Sequence, residues 1–249
     1  MREPNASVAS AIAAAASLTG VSARYLTATA ARESAFDPEA KAGTSSAAGL
    51  YQFIESTWLA TLSRHAGRLG LEREAGMARE EALALRFDPR LSALLAGALT
   101  ADNADVLEAR LGRAPTDGEL YAAHVLGAGG AARLARAAQK SPDASAAELF
   151  PEAARANRAL FYDASGSPVG VAALSTRFAS MIRDLDAAAS AAASAAPAEP
   201  ARPAAPSAVG EPRLVSLRGA RAPLRLHPDT VEILAALEPP ERAERSDDA

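Results

Sequence analysis

The sequence predicts an all-α domain over residues 5–187, followed by a tail with no core of its own. Three observations carry this. Apolar residues make up 49% of the chain, and most of that fraction is alanine, which favours helix and buries little area per residue. Glycine and proline punctuate the first 187 residues into runs of helical length, and no run alternates convincingly with the period of a strand. Beyond residue 187 the composition shifts to Ala, Ser and Pro, as in Ser194-Ala195-Ala196-Pro197 and Pro203-Ala204-Ala205-Pro206.

Val8, Ile12 and Ala16 recur every four residues before Gly20, which predicts a first helix. The same stretch has small-residue features of a signal peptide, but Arg2 is followed at once by Glu3 and a dense leucine run is lacking, so the helix is preferred. Ser22 is placed to cap a second helix reaching Ser34, which Asp37-Pro38 stops. Residues 37–47 have loop composition, and a short helical turn is expected over Gly49–Ile54. A helix from Ser56 to Ala66 follows, with Gly67 and Gly70 as breaks. Further helices are expected over 78–87 and over 90–111, ending at Gly112. Thr116 and Glu119 have capping-box spacing, so another should start there, carrying Tyr121 and His124. Helices over 131–139, 145–160 and 169–187 complete the domain, with room for a brief hairpin at Gly166-Ser167-Pro168.

The tail divides into an Ala/Pro-rich linker, 188–212, expected to be disordered, and a low-structure segment, 213–249. In the latter, Val231, Leu234 and Leu237 line one face of a short helix after Pro228. That face is either a frayed end or a docking peptide for a partner.

Composition also excludes classes. The net charge of −4 does not resemble the basic face of a nucleic-acid binder. With no cysteine there is no disulfide, thiol nucleophile or Cys-based zinc site, and His65, His124 and His227 are too scattered for a metal cluster. No cofactor is implied. No stretch has the length and hydrophobicity of a transmembrane helix.

The chemistry concentrates in Ala31-Arg-Glu-Ser-Ala-Phe-Asp-Pro38 and the turn Gly49-Leu-Tyr-Gln52. Leu26, Thr29 and Glu33 follow one another at steps of three and four, so Glu33 sits beside the buried stripe of its helix. A carboxyl partly withdrawn from water holds its proton more tightly, as a general acid requires.

These residues resemble the lytic transglycosylase domain of the soluble-lytic-transglycosylase (SLT) family, in the goose-lysozyme-like superfamily. Its Glu-Ser-x-Phe-(Asp/Asn)-Pro appears as Glu33-Ser34-Ala35-Phe36-Asp37-Pro38, its Gly-Leu-Met-Gln as Gly49-Leu50-Tyr51-Gln52, and its Thr-Trp as Thr57-Trp58. Its Ala-Tyr-Asn-Ala-Gly aligns with Ala123-His124-Val125-Leu126-Gly127. The resemblance implies a lysozyme-like helical fold and cleavage of peptidoglycan glycan strands at the β-1,4 bond after N-acetylmuramic acid, giving a 1,6-anhydro product. It implies Glu33 as the sole acid/base, Ser34 and Gln52 as sugar contacts, and Tyr51 in a cleft wall where methionine is commoner.

The chief departures are His124 for the family tyrosine that contacts the carboxylate, and Val125 for the asparagine. His124 is either a hydrogen-bond donor in the site, with Tyr121 one turn away, or an ordinary core residue. Trp58 is expected in the core rather than as a sugar platform, and Tyr162 is placed to close the cleft. Glu39, Glu55 and the arginines read as surface charges. Asp37 and Glu55 are the candidates for a second carboxylate, which a hydrolytic muramidase would need. A non-catalytic glycan-binding scaffold is the rival from another class. The resemblance implies action in the periplasm or cell envelope, by a route the sequence leaves open, with a cell-envelope or flagellar-type partner for the tail.

Overall fold

The computed structural model describes residues 4–43 and 45–195, with side chains as far as Arg183. Eleven α-helices are present among them: α1 (Ala6–Thr19), α2 (Ala23–Ser34), α3 (Glu55–Leu69), α4 (Glu72–Ala75), α5 (Arg79–Ala84), α6 (Pro89–Leu111), α7 (Asp117–Lys140), α8 (Ala146–Leu149), α9 (Pro151–Ala156), α10 (Arg158–Phe161) and α11 (Val171–Ala195). A 3-10 turn over Leu85–Phe87 joins α5 to α6. Strand pairing among the described residues is limited to isolated bridges. The fold is all-α, as predicted.

The helix ends follow from local chemistry. Asn5 and Ser22 accept from backbone N–H groups of Val8 and Tyr25, and the Thr116–Glu119 capping box is formed. Helix α1 stops at left-handed Gly20 and α6 at left-handed Gly112.

Six details differ from the sequence expectation. Helix α3 runs through Gly67 to Leu69 and ends at left-handed Gly70; a mid-helix glycine costs only about 1 kcal/mol against alanine, which buried Trp58, Leu62 and Ala66 on the same helix offset. The segment Gly49–Ile54 is a tight turn rather than helical, closed by Ala48 N–H donating to the Phe53 carbonyl. The stretch 145–160 is broken into α8, α9 and α10, because Pro151 cannot continue a preceding helix and Asn157 leaves helical geometry. Residues 131–139 belong to α7, which is kinked at Gly127. The short α4 was not anticipated, and α11 runs past 187 to Ala195. The hairpin near Gly166 is present in miniature, as a Tyr162–Pro168 bridge. The expected 213–249 segment and its short helix lie outside the described residues, as does His227.

Helix α7 packs most extensively on α11 and also on α6, while α1 lies along α6 and α2 bridges α1, α6 and α11. Alanine side chains such as Ala11, Ala15, Ala93 and Ala122 fill these contacts, so the helices approach closely. Larger residues occupy the junctions: Trp58, Tyr121, Phe161 and Phe178 are fully buried. Trp58 is therefore core, its indole N–H donating to the Ala82 carbonyl at 2.8 Å and its ring edge-on to Phe53. Among the described residues, no helix is long and apolar enough to cross a membrane, and no group of three or more His, Cys, Asp or Glu residues could hold a metal ion.

Candidate functional site

Glu33 occupies the last turn of α2, and only 3% of its side chain is exposed. The chain leaves that helix through two consecutive left-handed residues, Ala35 (φ 52°) and Phe36 (φ 63°). Their amides return to the Ala31 and Ala30 carbonyls, and buried Phe36 pins the reversal. Asp37 then accepts from the Glu39 amide, stabilising the turn. Gln52 (φ 48°) is the third described non-glycine residue with left-handed backbone. Strained backbone of this kind is held only where surrounding packing over-determines it, and here it flanks the acidic residue and the facing glutamine.

The facing element is the first half of α7. Tyr121 and His124, one turn apart on one side of that helix, both reach Glu33. The Tyr121 hydroxyl donates to Glu33 Oε1 at 3.4 Å, and His124 Nε2 lies 3.4 Å from the same oxygen. The two rings stack, 5.7 Å between centroids and 18° between planes. Burial, and next the Glu33 charge, push the Tyr121 phenol well above its usual range, so it stays a proton donor throughout the working pH of a protein. His124 is thus a polar partner of the carboxyl, with 24% of its side chain exposed, and not an ordinary core residue. Val125, on the neighbouring face, is fully buried.

Helix α7 can aim these groups because it bends at Gly127, whose φ of 70° and ψ of 158° is essentially open to glycine alone. His124 and Gly127 line a cleft whose other walls come from Tyr25, Leu26 and Thr29 of α2, the Tyr51–Ile54 segment, Thr57 of α3, and Leu99, Thr100 and Asn103 of α6. Neither Asp37 nor Glu55 is among the lining residues. Glu55 is committed to Arg79, at 2.6 Å, with Arg86 at 4.0 Å.

The Gly49–Gln52 turn is built against α2 by side-chain struts. Ser34 Oγ donates to the Leu50 carbonyl at 2.8 Å and lies 3.2 Å from the Ala30 carbonyl. The Tyr51 hydroxyl donates to the Leu26 carbonyl at 3.0 Å, and burial pushes its phenol far above the usual range. Gln52 turns its amide N–H groups back onto the Gly49 and Ala40 carbonyls, at 2.9 and 3.2 Å. Its side-chain carbonyl is left to accept from a ligand. Gly49 has no alternative, since a Cβ there would lie 2.0 Å from the Arg86 carbonyl oxygen.

The structure thus places Tyr51, Gln52 and His124 on one cleft; Glu33 and Tyr121 are not among its lining residues and adjoin it through His124, whose Nε2 lies 3.4 Å from Glu33 Oε1 and whose ring stacks on Tyr121. Ser34 adjoins them but spends its hydroxyl on the turn. Tyr162 does not join them: it sits in the 162–168 turn with the Arg158 guanidinium 4.4 Å above its ring, and it does not line the cleft.

Two arginines were misread as surface charges. Arg86 is buried and donates to the carbonyls of Ser46 (2.6 Å), Phe53 (3.2 Å) and Leu83 (3.0 Å), gripping the motif turn from beneath. Arg32 Nε donates to the Tyr121 hydroxyl at 2.6 Å. Thr57, Thr100 and Asn103 were missed as well. The last two share an i, i+3 spacing on α6, but Asp102 stands between them and no pattern in the sequence sets them apart.

A cleft, a sequestered carboxyl beside it with a phenol donating to it and an imidazole 3.4 Å away, and a glutamine with a spare acceptor can bind a polar chain and move a single proton. Residues 10–148, which contain the Glu33 group and every residue lining this cleft, match the family model of the transglycosylase SLT domain.

Proposed function

The chain belongs to the transglycosylase SLT family, whose activity is peptidoglycan-related lytic transglycosylation, and from that premise we propose that Glu33 is its sole acid/base. In this reading Glu33 protonates the bridging oxygen of the β-1,4 bond between N-acetylmuramic acid and N-acetylglucosamine. The bond breaks with oxocarbenium character on the muramic acid. The resulting carboxylate accepts the proton of that sugar's C6 hydroxyl, whose oxygen closes a 1,6-anhydro ring. No water is consumed, and the intramolecular nucleophile makes a second carboxylate unnecessary.

The observation that carries the reading is that the Tyr121 hydroxyl and the His124 imidazole converge on one oxygen of Glu33. Tyr121 and His124 both approach Oε1 of Glu33, which supports Oε2 as the carrier of the transferable proton. The phenol that the family motif takes from the position of His124 comes here from Tyr121, one turn earlier, so the motif's substitution leaves the carboxyl with a phenolic partner. Gln52 accepts from a sugar hydroxyl, Tyr51 and His124 form cleft walls, and Ser34 holds the turn. The site of action is the cell envelope, with the 213–249 tail placing the enzyme through a partner there.

The test is Glu33→Gln with mass spectrometry of muropeptides released from purified wall. Turnover should fall by about 10⁴-fold, the upper end for loss of a general acid–base, with an unchanged circular dichroism spectrum. The wild-type products should end in 1,6-anhydromuramic acid. Products that incorporate labelled water would establish a hydrolytic muramidase. Binding to wall without release of any product, by wild type as well, would establish a scaffold.

A further inference from the structure

The hydrogen-bond chain behind Glu33 ends on a charge. Arg32 Nε donates to the Tyr121 hydroxyl at 2.6 Å, and the Tyr121 hydroxyl lies 3.4 Å from Glu33 Oε1. A phenol has one proton. With a guanidinium occupying an oxygen lone pair, that proton has Glu33 as its acceptor. Arg32 and Glu33 are neighbours in sequence, and adjacent helical residues do not face each other. Tyr121, on a different helix, is the atom-by-atom link between them. The Arg32 guanidinium carbon is also 5.5 Å from the Tyr121 ring centroid, so the ring is held at both its edge and its face.

We propose that Arg32 is a positioning residue that fixes the direction of the Tyr121 hydroxyl, and through it orients the Glu33 carboxyl, for the reaction assigned above. The inference rests on Glu33 being the acid/base. Arg32 is not among the residues lining the cleft. Nor are Glu33 and Tyr121, so it is the bond from Arg32 to the Tyr121 hydroxyl, 2.6 Å, that directs its contribution to the chemical step. The phenol alone, without Arg32, is free to rotate its proton away, and Glu33 Oε1 then keeps only His124 as a partner.

A double-mutant cycle decides this. Arg32→Met keeps the stem and removes the donors, and Tyr121→Phe keeps the ring and removes the link. Each single substitution should lower kcat on purified wall by about tenfold with KM unchanged, the scale of one lost charge-assisted hydrogen bond. The double variant should be no slower than Tyr121→Phe, because Arg32 has nothing to act through once the hydroxyl is gone. Arg32→Lys should recover part of the rate, since an ammonium can donate to the same oxygen. Circular dichroism and melting of each variant separate misfolding from slow chemistry. Multiplying effects in the double variant, an Arg32→Met change confined to KM, or wild-type kcat in Arg32→Met would each overturn the proposal. Glu33→Gln in the same series keeps the two claims apart. If it is inactive, a failed cycle sinks only the role of Arg32; if it is fully active, the acid/base assignment itself falls.

Discussion

Replacing Arg86 by methionine should loosen the motif turn from below. The guanidinium is nearly enclosed, and its burial lowers its pKa against the opposing pull of Glu55. It nonetheless remains charged at neutral pH, as arginine does. Three carbonyls depend on it: Ser46 and Phe53, either side of the Gly49–Gln52 turn, and Leu83 at the end of α5. Each hydrogen bond to a charged group is worth about 1.5–3 kcal/mol, so the three give a gross loss of roughly 4.5–9 kcal/mol. Releasing the guanidinium from its desolvated site returns several kcal/mol, and methionine keeps most of the apolar stem. A net destabilisation of about 3 kcal/mol results, which for a domain of this size lowers Tm by roughly 6–12 °C. Ser46 and Phe53 flank the Gly49–Gln52 turn and lose their donor, so KM on purified wall should rise as Gln52 loses its fixed place. Thermal unfolding followed by circular dichroism, with wall-release kinetics well below the transition, measures both. A melting point within about 2 °C of wild type together with unchanged KM would refute the view that Arg86 holds the turn.

Gly127→Ala puts a side chain on a backbone with φ 70° and ψ 158°; it should cost about 1–3 kcal/mol and slow wall cleavage by displacing His124 and Tyr121, as read by melting and kinetics together. Glu119→Gln tests a pH-dependent cap. Arg113 first, then the Thr116 amide, hold the Glu119 carboxyl below its usual range. Its stabilisation is therefore present above the unfolded value of about 4.3 and is lost as pH falls through the lower folded value. Urea unfolding should show Glu119→Gln weaker than wild type by about 1 kcal/mol at pH 7, with the gap closing in strongly acidic buffer.

Most of the helix ends were legible in the sequence, and so was the candidate carboxyl, Glu33, with its motif. Caps and stops are local chemistry: Asn5, Ser22 and Thr116 satisfy amides within three residues of themselves, and Gly20, Gly70 and Gly112 supply left-handed ends. The order Glu33, Gly49–Gln52, Trp58 and Gly127 is equally a property of one dimension. Which partners converge on Glu33 depends instead on how the helices pack. Tyr121 and Arg32 are 89 residues apart, and Arg86 lies 40 residues from Ser46. No periodicity in the chain distinguishes such arginines from solvated ones, because their burial depends on which helix packs above them. The same holds for Ser34 and Tyr162. Ser34 donates to Leu50 because the turn folds back onto α2, and Tyr162 stays under Arg158 because α10 leaves it on a turn apart from the cleft. Local backbone chemistry fixes a helix wherever it lies, whereas a hydrogen bond between distant residues exists only after the core has chosen how the helices meet.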